Sequence, residues 1–225
     1  GDAVDLVFTD PPYGMSYQSS SRKFEVIEGD NLRGDDLQAL VRDALALAAA
    51  HRAPGAAVYV WCTWRTYSDF IAALAAAGLE PSGCIVWKKG RVGPGSAHYR
   101  PEHEFCLYCR PEQEGDHDLC IYCAGDTWEG GRGQSDVWEV PRDTGYVHPT
   151  QKPTALAERA IKNSTHRRGV VLDLFGGSGS TLIAAENLGR RARLMELDPA
   201  YVDVIVDRWE RHTGQRAERI PADDS

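Results

Sequence analysis

No run of 18 apolar residues occurs in the chain. The longest greasy stretch, 44–50, is mostly alanine and ends at His51 and Arg52, so no membrane span is expected. A basic leader is missing too: residues 1–5 carry two acids and no Lys or Arg. No signal peptide is therefore expected, and a cytoplasmic location is the expectation. Positive charge is in the minority, with 25 Lys and Arg against 33 Asp and Glu and a net charge of −8. That argues against a chain coated by nucleic acid and leaves room for a local basic patch. Without a leader, the six Cys read as reduced thiols or metal ligands, not as a secreted disulfide framework. Apolar content is not lacking: 42% hydrophobic against 26% charged excludes a wholly disordered chain. A length of 225 residues suits a single domain.

Strand-like and helix-like segments alternate. Residues 4–9 are β-branched and apolar and stop at Asp10-Pro11-Pro12, which neither a strand nor a helix can run through. Residues 22–33 are polar and loop-like. Leu37, Leu40, Val41, Ala44, Leu45 and Ala48 share one face of a helix over 35–52, closed by Pro54-Gly55. Strands are predicted at 56–62, 84–87, 170–175 and 192–197. Helices are predicted at 67–77, 153–163, 181–188 and 199–212, the last with Pro199 in its first turn. Between 88 and 145 the texture turns to Gly, Pro and aromatics with no helical period. The alternation implies a doubly covered, parallel α/β sheet, with residues 88–147 inserted at its loop edge. Ligands of such sheets bind beyond the carboxyl ends of the strands, where two motifs fall.

One motif is Gly176-Gly177-Ser178-Gly179-Ser180-Thr181 between a strand and a helix. Its glycines allow a sharp turn and close approach to a ligand. Glu196 follows Gly176 by 20 residues, the spacing at which a carboxylate meets ribose hydroxyls. A plain tight turn remains the alternative. No Lys follows the glycines, which argues against a Walker phosphate loop, and Asp198 reads as the N-cap before Pro199. The other motif is Asp10-Pro11-Pro12-Tyr13. The prolines fix the backbone and remove two donors. A carboxylate, a fixed carbonyl and an aromatic ring could together hold a planar, amino-bearing ring, although a Pro turn with an exposed Tyr has the same sequence.

A third feature is basic: Lys88, Lys89, Arg91 and Arg100 lie within 85–100 with no acid among them. It is either a solvated loop or a grip on phosphates. Trp61 and Trp64 read as core and wall. Cys106 and Cys109, then Cys120 and Cys123, form two Cys-x-x-Cys pairs inside a short apparent duplication. They could hold zinc, but neither pair is followed by a knuckle glycine. Buried cysteines in a hairpin over 106–123 are the other reading, and no metal is assigned.

The motifs together resemble those of the β-class DNA amino-methyltransferases, which modify adenine N6 or cytosine N4. Asp10-Pro11-Pro12-Tyr13 resembles their catalytic motif and Phe175-Gly176-Gly177-Ser178-Gly179 their S-adenosylmethionine loop, in the order of that class. His148-Pro149-Thr150-Gln151-Lys152-Pro153 resembles the segment before that loop. The likeness runs from about residue 4 to 213 and implies a Rossmann-like class I methyltransferase fold. It implies catalytic roles for Asp10, Pro11, Pro12 and Tyr13. It implies cofactor contacts from Phe175, Gly176, Gly177, Ser178, Gly179, Ser180, Thr181 and Glu196, with Asp173 and Lys152 near the methionine part. The implied substrate is double-stranded DNA, gripped by the basic stretch, with adenine preferred to cytosine because position 10 is Asp rather than Ser. A homodimer and a partner domain before residue 1 are further expectations, since the chain begins almost at the catalytic strand. RNA, a protein amide or a non-catalytic module of the same fold are the competing functions.

Overall fold

The computed structural model describes residues 3–14, 32, 34–92, 98–110, 128–142 and 151–221. Seven strands form one sheet: β1 (Val4–Thr9), β2 (Arg52–Cys62), β3 (Gly83–Lys88), β4 (His103–Cys109), β5 (Val137–Glu139), β6 (Val170–Asp173) and β7 (Arg191–Leu194). Their order is β5-β3-β4-β2-β1-β6-β7. Strand pairs β1–β2, β1–β6, β6–β7 and β3–β5 are parallel. β4 runs against both its neighbours, β2 and β3. The sheet is therefore mixed and mostly parallel, as expected, with one reversed strand. The reversed strand comes from residues 88–147, so part of that stretch belongs to the sheet itself.

Helices α1 (Asp35–His51) and α2 (Tyr67–Ala76) cover one face, and α3 (Thr154–Ser164) and α4 (Ser180–Leu188) the other. Strand alternation sorts the core: Leu6, Phe8, Tyr59 and Trp61 meet α3 and α4, while Val7, Val58, Val60 and Cys62 meet α1 and α2. The fifth helix, α5 (Pro199–Thr213), packs Ile205 against the glycine turn. Asp198 caps it by accepting from the Ala200 amide at 2.8 Å, as its sequence position predicts.

α1 ends at His51, before Pro54-Gly55 as expected, but those two residues lie inside β2. β2 begins at Arg52, and the register along β1 jumps from Val4↔Arg52 to Leu6↔Ala57. The irregularity absorbs the proline, which cannot donate to the ladder. Among the described residues no helix is long and apolar enough to cross a membrane. The expected hairpin over 106–123 is not compatible with this sheet, because β2 and β3 occupy both edges of β4. Cys106 packs with the α3–α4 face and Cys109 with the α1–α2 face, so the pair cannot close on one metal. Cys120, Cys123 and His148-Pro149-Thr150 lie outside the described residues, as does the loop at 22–33 apart from Leu32.

Candidate active site

The carboxyl ends of β1, β6 and β7 open into a common cavity of about 410 Å³. That is the size of a small-molecule site, for which about 300–1,000 Å³ is usual. Asp10 and Tyr13 lie at one part of its wall, and Gly176, Gly177 and Glu196 at another. Lys152 also lines it. The walls are otherwise largely apolar, including Phe8, Phe175, Met195 and Leu197.

The glycine turn is built by its own backbone and by Glu196. Gly176 donates to the Met195 carbonyl at 2.8 Å, and Gly179 donates to the Gly176 carbonyl at 2.8 Å. Gly179 sits at φ 78°, where a Cβ would also come within 3.2 Å of Ile205. Glu196 accepts from the amides of Gly177 at 2.7 Å and Asp198 at 3.0 Å. An ionised carboxylate offers about four acceptor positions, so it keeps capacity for ligand hydroxyls. Asp173, buried beneath the turn, accepts from the Thr181 hydroxyl at 2.6 Å and the Phe175 amide at 3.2 Å. Burial pushes its carboxyl up to about 7 despite those donors. Ser180 donates to the Lys152 carbonyl at 2.8 Å, tying the segment before α3 to the turn. Arg208 from α5 donates to the Ser178 carbonyl at 3.0 Å.

The other half of the site is a buried chain of alternating charges. Tyr13 donates its hydroxyl to Asp10 Oδ1 at 2.5 Å. The Lys152 ammonium donates to Asp10 Oδ2 at 2.7 Å and to the Tyr13 hydroxyl at 3.0 Å. It also lies 2.9 Å from Glu104 Oε2, and Glu104 Oε1 is paired with Lys89. Two acids and two bases thus neutralise one another where water is scarce. Burial raises the Asp10 pKa, outweighing the pull of Lys152. Burial would also raise Glu104, but Lys152 and Lys89 hold it down at about 2. Lys152 goes above its ordinary value because Asp10 and Glu104 outweigh its desolvation. Lys89 goes below, since burial outweighs the help from Glu104. Tyr13 stays firmly protonated through burial and the neighbouring Asp10.

The family model described as DNA methylase matches residues 4–207. The chain belongs to the DNA methylase family, the amino-methyltransferases of the N6/N4 class. It is similar to the type II methyltransferase M2.DpnII of Streptococcus pneumoniae, 27% identical over 224 residues that span 93% of this chain and 83% of that protein. The solved M1.HpyAVI–SAM complex has a TM-score of 0.67 at 24% identity, over 92% of this chain and 89% of that one. The PvuII DNA methyltransferase, described as cytosine-N4-specific, has a TM-score of 0.66 at 16% identity, over 95% and 84%. These likenesses make the fold that of the class I methyltransferases.

In this methylase the residues expected to act together largely do meet. Asp10, Pro11, Pro12, Tyr13, Lys152, Asp173, Phe175, Gly176, Gly177, Ser178, Ser180, Thr181 and Glu196 all line the cavity. Gly179 packs against Ile205 and shapes the turn from behind. Lys152 directs its ammonium to Asp10 and Tyr13, at the catalytic motif. Two expectations need correction. Lys89 is buried against Glu104 and cannot reach a phosphate, because its side chain turns inward just past the end of β3. Trp64 is 64% exposed just past the end of β2, with Arg65 over its ring, and so is not a core residue. Lys88, Arg91 and Arg100 are exposed, Lys88 in an ion pair with Glu139 at 2.8 Å. The sequence reading missed Glu104, Met195, Leu197 and Tyr201. The last three flank or follow Glu196, and their position beside a ribose-type acid was the available signal.

Proposed function

We propose that this methylase uses S-adenosylmethionine to methylate adenine N6 of a base flipped out of double-stranded DNA. One observation carries the reading: the carboxylate of Asp10 and the turn braced by Glu196 face one cavity. An acceptor for an amine and a cradle for a nucleoside therefore share a wall. The M1.HpyAVI relative was solved as a complex with SAM, which supports the cofactor. So does the fit: Glu196 has acceptor capacity for ribose hydroxyls, and Phe175, Met195 and Leu197 offer apolar cover for a heterocycle. When bound, the cofactor supplies a methyl group activated on a sulfonium.

The exocyclic amine of adenine is a weak nucleophile because its lone pair is delocalised into the ring. Asp10 and the Pro11 carbonyl accept its two hydrogens and draw the nitrogen toward a tetrahedral shape. Its lone pair is then aimed at the methyl group, and positioning and electrostatics carry most of the acceleration. The proton lost by the methylated nitrogen passes to Asp10, whose raised pKa suits it to receive one. No cysteine nucleophile is needed. Flipping costs a few kcal/mol, of which stacking on Tyr13 recovers ~1–3 kcal/mol. Lys88, Arg91 and Arg100 supply phosphate contacts, and residues 88–147 take part in target recognition.

Cytosine N4 is the second reading, since that amine presents the same two hydrogens and the PvuII relative is described as cytosine-N4-specific. Incubation with radiolabelled cofactor and unmethylated DNA, followed by nucleoside analysis, tests both. N6-methyladenine is the expected product. N4-methylcytosine would establish the second reading, and absence of label would leave a DNA-binding module.

A further inference from the structure

Asp10 has no free oxygen facing only water: Oδ1 accepts from Tyr13 and Oδ2 from Lys152. A substrate amine donating to the same buried carboxylate competes with these two donors for it, and the ammonium is the one able to swing away. A buried ammonium that left its anion with nowhere to go would be uncompensated, at a cost of several kcal/mol. Glu104 removes that cost. Its Oε2 is already 2.9 Å from Lys152 Nζ, within reach of the ammonium as it turns. Its other oxygen is held by Lys89, which fixes the carboxylate in place. Tyr13 and Trp61 present their rings 5.3 Å from the same ammonium and can cover it as it turns.

We infer that Glu104 is a positioning residue, a second seat that takes the Lys152 ammonium when the substrate amine occupies Asp10. Lys152 thus holds the Asp10 carboxylate ionised and oriented in the resting protein, then turns through a small angle toward Glu104 Oε2. Lys89 keeps Glu104 from being pulled out of reach. The inference rests on the methyltransfer reading above.

Glu104→Gln tests it. The side chain keeps its size but loses its charge, leaving Asp10 as the one anion beside Lys152. Turnover should fall by about tenfold or more, while cofactor affinity by calorimetry stays unchanged. The acid limb of the kcat/KM profile should also move to lower pH, by about one unit. The groups facing Asp10 are Lys152, Glu104 and Tyr13, with Cys62, Cys106 and Asp173 further off. Removing the negative Glu104 lowers the proton affinity of Asp10, so the carboxylate survives to lower pH. Losing the charge moves that limb whatever the role of Glu104, so the plateau rate decides: a purely structural ion pair would lower Tm and shift the limb but leave turnover above it unchanged. If Glu104→Gln misfolds because Lys89 is stranded, the double variant Glu104→Gln/Lys89→Met removes both charges and must show the same loss of turnover. Unchanged plateau turnover in a folded variant would overturn the inference. Wild-type protein that transfers no methyl group would fail the functional reading instead, and the inference with it.

Discussion

Asp10 carries its charge in a place where burial opposes it, and it does so because Lys152 stands beside it. Replacing it with Ala should lower methyl transfer by about 10²–10³-fold or more. Cofactor affinity should hold, because the side chain faces the amine and not the nucleoside cradle. Single-turnover kinetics and calorimetry check the two halves of that statement. Glu196 behaves oppositely. Glu196→Ala should weaken cofactor binding by ~1.5–3 kcal/mol, since charged acceptors to ribose disappear and the Gly177 and Asp198 amides are left without their partner. Equal affinity in a titration of the variant would remove the assignment. Both acids were legible in the sequence because each sits in a short motif at a strand end. Glu104 was not. It lies in an aperiodic stretch outside any motif, and its partners Lys89 and Lys152 come from separate segments on either side of it in the chain. Lys89 misled for the same reason: a run of basic residues gives no sign of which member turns inward.

Among the elements, the turn between β6 and α4 is the most tightly specified. Gly179 combines a left-handed backbone with close contact to Ile205, so Gly179→Ala meets both costs. The backbone term alone is roughly 1–2 kcal/mol, and each kcal/mol lowers Tm by roughly 2–4 °C in a chain of this size. Thermal unfolding should show at least that loss, with cofactor affinity reduced alongside. The helices were readable because apolar residues recur on one face, as Leu37, Val41, Leu45 and Ala48 do on α1. β4 was expected as one arm of a hairpin over 106–123, whereas its partners β2 and β3 come from earlier in the chain. Its two cysteines suggested a metal pair, whereas their spacing of three puts them on opposite faces of a strand. β2 was cut short by reading Pro54 as a stop, which a register irregularity accommodates.

For the whole molecule, excess negative charge makes a local group of exposed cations important. Neutralising Lys88, Arg91 and Arg100 together should weaken DNA binding and flatten the slope of log K against log salt, by up to ~0.9 for each phosphate no longer neutralised. Lys89→Met should leave the slope alone and lower Tm, so the pair of titrations separates grip from framework. Stability against acid follows from Glu104. Its folded pKa is depressed to about 2 from 4.5, so its contribution is present above pH 4.5 and is lost as pH falls toward 2. Wild-type Tm should fall more steeply across that window than that of Glu104→Gln.

β1 lies inside the sheet, flanked by β2 on one side and β6 on the other. Its Val7 pairs with Val58 and with Leu172, and Asp5 accepts from the Val170 amide at 2.7 Å. During synthesis, therefore, the strand that bears the catalytic motif waits for most of the chain before its second edge is covered. Until then an apolar ribbon of Val-Asp-Leu-Val-Phe-Thr presents open amides and carbonyls to any neighbouring copy. A ribosome stalled before β6 would release a species prone to edge-to-edge association, and slow translation through residues 110–170 would lengthen that exposure.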